Sequence, residues 1–149
     1  MFNLGRKNKL YDIVAHINIV IDDKRLTHVV RAVFLSDWKH CIETGKPLTK
    51  IIWQKNKDIV VYSESWEKIN SIIHSASRKP DRTYEDKLSD EAVSAINHVV
   101  ETMNRKTYQE NFVLVSSVFP IFYSECGDIL DLASCAKKYA SNQEKFASS

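Results

Sequence analysis

A chain of 149 residues is long enough for one domain and short for two. At this length about 70% of the unfolded surface leaves water on folding, so a core needs neither disulfides nor a metal. With 44% hydrophobic and 27% charged residues the composition is ordinary for a globular protein, and a net charge of +2 is too small to imply nucleic acid by itself.

Glycine and proline number 3 each, too few for the turns of a sandwich or barrel, so the fold class expected is mainly α. The opening stretch from Met1 to Lys9 lacks the apolar core of a signal peptide. No apolar run approaches the roughly 20 residues of a membrane span. Cys41, Cys126 and Cys135 form no Cys-x-x-Cys pair and suit neither a zinc site nor a disulfide framework. A cytoplasmic protein is expected, with no cofactor and no metal.

In chain order, Leu10, Ile13, Val14, Ile17 and Val20/Ile21 recur at helical spacing and predict a helix from Lys9 to about Ile21. Asp22-Asp23-Lys24 ends it. A second helix is expected from Thr27, as N-cap, with Val29, Val30, Val33, Phe34, Trp38, Cys41 and Ile42 as its stripe and Gly45 as its C-terminal stop. Ile51–Trp53 and Ile59–Tyr62 are β-branched and aromatic, and predict a small hairpin. Within its turn Asn56 is the residue suited to a left-handed conformation.

Ser65 to Ser75 reads as a third helix with Trp66, Ile69, Ile72 and Ile73 facing inward, and Arg78 to Asp86 as a polar linker. Ser89 caps a helix to about Arg105. Thr107 with Glu110 matches a capping box and opens another, which Pro120 is expected to stop. Asp128 is expected to cap the last helix. The whole is one domain, a bundle of about five to six helices with a small β-hairpin inserted after the second. Residues 1–8 and 141–149 are expected to be flexible.

No enzyme signature emerges. His16, His28, His40, His74 and His98 have no second histidine at helical spacing, and Gly5, Gly45 and Gly127 stand alone rather than in a phosphate loop. His40 and Cys41, as sequence neighbours, point to different helix faces. The aromatics carry more. Strand alternation sends Ile52 and Trp53 to opposite faces, so Trp53 faces either the core or a binding surface, where Trp is enriched. Between Lys39 and Lys57 five lysines (Lys39, Lys46, Lys50, Lys55 and Lys57) stand against Glu43 alone. They are either a solvated surface or a basic face for an acidic partner or a phosphate backbone.

The run Leu26-Thr27-His28-Val29-Val30-Arg31-Ala32-Val33-Phe34-Leu35-Ser36-Asp37-Trp38, followed by Gly45-Lys46-Pro47-Leu48, resembles the opening helix and turn of the Panacea (SocA-like) domain of bacterial and phage antitoxins. Leu88-Ser89-Asp90-Glu91 begins a helix similar to a later one of that family, and the resemblance covers Leu10 to about Tyr123. Lys55-Asn56-Lys57, after Trp53-Gln54, stands where the family usually carries Tyr-Gly-Pro, so the surface built there differs. The resemblance implies a non-enzymatic protein that neutralises a cognate toxin or phage-defence partner by direct binding, in one relative as a proteolytic adaptor. The expected partner contacts are Trp53, Lys55, Asn56, Lys57, Tyr62 and Trp66. The alternative is a nucleic-acid-binding regulator using the basic segment 39–57.

Overall fold

Residues 8–79 and 83–148 are described by the structure, a computed structural model, and they form seven α-helices and three short strands. The helices are α1 (Leu10–Val20), α2 (Leu26–Thr44), α3 (Trp66–Ser77), α4 (Asp90–Asn104), α5 (Tyr108–Ser117), α6 (Phe119–Phe122) and α7 (Leu132–Ser148). The strands are β1 (Trp53–Asn56), β2 (Val60–Tyr62) and β3 (Ile129–Leu130). The mainly α class is as expected. The one-turn helix α6 and the strand β3 go beyond the expected bundle with a hairpin.

Helix α2 is the axis of the molecule and touches α1, α3, α4, α5 and α7. It does not carry a single apolar stripe. Every residue from His28 to Trp38 is buried, including His28, Arg31, Ser36 and Asp37. A helix enclosed on all sides must bury its polar positions as well as its apolar ones. Its start is also not the expected one. Leu26 opens the helix and Arg25 precedes it without a side-chain cap, while Asp23 accepts the Arg25 amide at 3.1 Å. Its end is as expected: Gly45 takes φ +84, and its amide donates to the Cys41 carbonyl at 2.8 Å. Only glycine adopts that conformation freely.

The sheet is antiparallel in the order β2-β1-β3. The turn between β1 and β2 uses Asn56 differently from expectation. Asn56 stays in the strand, and its Oδ1 accepts the amides of Asp58 (2.8 Å) and Ile59 (3.0 Å). The left-handed residue is Val60, at φ +75. Strand β3 was hidden behind the tight turn Glu125–Asp128, in which Gly127 has φ +95 and its amide donates to the Lys55 carbonyl at 2.9 Å. Asp128 closes this turn by accepting the Glu125 amide. Asp131, not Asp128, caps α7 by accepting the Ser134 amide.

Ser89 and Thr107 cap α4 and α5 as expected, Thr107 in a full capping box with Glu110. Helix α5 already ends at Ser117. Pro120 lies in the first turn of α6, where its missing N–H is harmless, so it starts a helix rather than stopping one. The expected linker 78–86 lies partly outside the described residues. Its described end holds the buried Tyr84, edge-on to Tyr11 at 6.0 Å, followed by a 3-10 turn Glu85–Lys87. Of the segments expected to be flexible, residues 1–7 and 149 lie outside the described residues; Asn8 is hydrogen-bonded twice to Ser89, and α7 runs to Ser148.

Candidate functional surface

Pleating sends alternate strand residues to opposite faces, so the register of the sheet sorts its side chains. Trp53 pairs with Leu130 and Lys55 with Val61, and Trp53, Val61 and Leu130 are buried. Gln54 pairs with Tyr62 on one side and Ile129 on the other, which makes a row Tyr62–Gln54–Ile129 on the outer face. Ile52, two residues before Gln54, extends it. Ile129 is 71% exposed, Ile52 68% and Tyr62 37%. The Tyr62 ring stacks on Trp66, centroids 6.2 Å apart, so the apolar face runs on from the sheet to the first turn of α3.

Trp53 is therefore not a contact residue. It is 1% exposed, its ring lies edge-on to Phe34 at 5.4 Å, and its Nε1–H donates to Asp37 Oδ2 at 2.7 Å. Asp37 also accepts from the Thr49 amide and the Thr49 hydroxyl, both at 2.6 Å. Burial raises the Asp37 carboxyl above its ordinary value, opposed by these donors. The result is a polar node that pins the turn after α2 and the start of β1 to the central helix. Trp53 positions the surface from beneath.

Lys55 is half-buried, and its ammonium group is already engaged. Its Nζ donates to the carbonyls of Ile121 (2.8 Å) and Ser124 (2.5 Å), which close the end of α6. Asn56 has its Oδ1 committed to the turn. Lys57 is exposed. Of the six expected contacts, the structure brings Tyr62 and Trp66 together on one face, with Lys57 at the exposed turn between β1 and β2. Ile52 and Ile129 were missed. Ile52 was legible in the alternation, whereas Ile129 needed β3, whose two residues give no periodic signal. Within the basic segment Lys39 pairs with Glu43 at 3.1 Å, so with Lys55 two of its five lysines are already engaged.

Two of the histidines are held by hydrogen bonds within the fold, and Cys41 is buried in the core. His16 Nε2 lies 3.1 Å from Asn97 Oδ1, and His40 Nδ1 lies 2.7 Å from the Lys46 carbonyl. Burial, with the nearby Asp37 carboxylate, pushes the Cys41 thiol up to about 11. Among the described residues no group of three or more His, Cys, Asp or Glu is placed to hold a metal ion. No described helix is long and apolar enough to cross a membrane. Comparison with models of known protein families, with curated proteins and with solved structures finds no match for this chain.

Proposed function

We propose that this chain is a non-enzymatic, cytoplasmic interaction domain that binds and neutralises a protein partner, a cognate toxin or phage-defence protein of the kind implied by its resemblance to the Panacea antitoxins. The observation that carries the reading is the outer face of the sheet. Three short strands hold Ile129, Gln54 and Tyr62 in register, and Ile52 and the Tyr62–Trp66 stack lie beside them. Large apolar side chains grouped on a rigid element lose little entropy on binding and remove much area from water, the usual make-up of a contact centre. The buried node around Asp37 keeps that face in one shape, and pre-organisation favours tight binding.

The test is co-expression with the small protein encoded next to this chain, where that protein arrests growth alone. The intact chain is expected to restore growth. A Tyr62→Glu, Ile129→Glu double variant is expected to fail to restore it while keeping its thermal midpoint, because both side chains already face solvent. Undiminished rescue by the variant would place the contact elsewhere.

A further inference from the structure

Two neighbouring cavities beside the apolar face share Lys50 and Ser65; taken together as a trough, its two ends differ in chemistry. One end is a cavity of about 680 Å³ lined by Asn8, Lys9, Thr49, Lys50, Ser65 and Lys68 together with three apolar side chains. Among the described residues no carboxylate lines it, and none of its three lysines has an acidic partner. Lys9 and Leu10 open α1 there, and Ser65 and Lys68 open α3; neither helix has a side-chain cap. Helix N-termini are already positive, so lysines beside them raise the local potential further. Asp12 and Glu67 lie in these first turns but do not line the cavity.

The other end is a cavity of about 400 Å³ that shares Lys50 and Ser65 with the first and is walled by Ile52, Gln54, Glu64 and Ile129. The lysine end therefore leads directly into the exposed row of the sheet. Resting on the interaction-domain reading above, we infer that the trough takes an extended segment of the protein partner, acidic where it meets Lys9, Lys50 and Lys68 and apolar where it meets Ile52 and Ile129. Glu64, at the sheet end beside the shared Lys50, disfavours acidic residues there relative to the lysine end. A nucleic-acid strand fits less well. Its charge is uniform along its length, whereas the trough changes from cationic to apolar and acidic within its own length.

A labelled synthetic peptide Asp-Glu-Asp-Glu-Ile-Leu, titrated with the full chain and followed by fluorescence anisotropy, tests the inference without the partner. Saturable binding that weakens with added salt is expected. Lys50→Glu with Lys68→Glu is expected to lower affinity by about tenfold or more with an unchanged thermal midpoint. Ile129→Glu, alone, is expected to weaken the same peptide. Absence of saturable binding, an unchanged affinity in the charge-reversed variant, or tighter binding of an oligothymidylate of equal charge would each overturn it. If growth rescue succeeds while the peptide fails, the trough is wrong and the interaction reading stands; if the peptide binds as expected while rescue fails, the trough stands as a site for acidic-apolar segments and the toxin-neutralising reading falls.

Discussion

Asp37 shows how much one residue can decide. Its carboxylate has no solvent contact and accepts three hydrogen bonds, from the Thr49 amide, the Thr49 hydroxyl and Trp53 Nε1. Asp37→Ala strands the buried Trp53 donor along with the Thr49 amide, and each orphan costs about 1–3 kcal/mol. A loss of roughly 3 kcal/mol or more in urea unfolding is expected, with the Trp53 fluorescence shifted before global unfolding. His28 and Arg31 are the other buried polar residues of α2 with consequences. Arg31, 3% exposed, lies with its guanidinium 5.1 Å from the Tyr108 ring centre and 5.4 Å from that of Phe112. Cation–π contact thus takes the place of water around a buried charge. His28 stacks on Tyr108 as well, with ring centroids 5.9 Å apart.

Burial lowers the His28 pKa below 6.5, helped by the positive charges of Arg31 and Arg25 and opposed by Asp23. A lowered value means the unfolded chain takes the proton first. The stability from neutral His28 is therefore complete above 6.5 and declines as pH falls through that value toward the folded one. Urea midpoints are expected to drop between about pH 7.5 and about pH 5.5, and to drop less in His28→Leu.

At the scale of elements, α6 is a single turn, too short to persist alone. Lys55 from β1 holds the Ile121 carbonyl within it and the Ser124 carbonyl just beyond it, each through a hydrogen bond from a charged donor. Lys55→Met keeps the apolar stem and removes both bonds. It is expected to cost about 2 kcal/mol and to speed amide exchange at Phe122 and Tyr123 more than in α4. The elements with local signals were legible. Thr107 and Glu110 close their capping box within four residues, and Gly45 ends α2 with a bond to Cys41. The misreadings lie where the deciding contact is distant. Lys55 reads as a surface lysine until α6 docks on β1, and Trp53 reads as an open choice until Asp37, on α2, claims its indole N–H.

The whole molecule orders its three thiols by depth. Cys126 is exposed, Cys135 half-buried and Cys41 buried, and burial raises the thiols of Cys41 and Cys135 above their usual value. A disulfide reagent is expected to react fast with Cys126, slowly with Cys135, and with Cys41 only as the protein unfolds. Two fast equivalents in the folded state would contradict the packing of α7 on α2.

Periodicity, capping residues and one glycine were enough to determine the principal helices, the hairpin and the mainly α class, because those signals act over a few residues of chain. Which face of the sheet points outward, that Ile129 joins Tyr62 across Gln54, and that Lys55 is spent inside the fold were decided only by tertiary structure. A side chain's exposure depends on what packs over it, and here the covering groups come from up to about seventy residues away, as with Lys55 and Ser124.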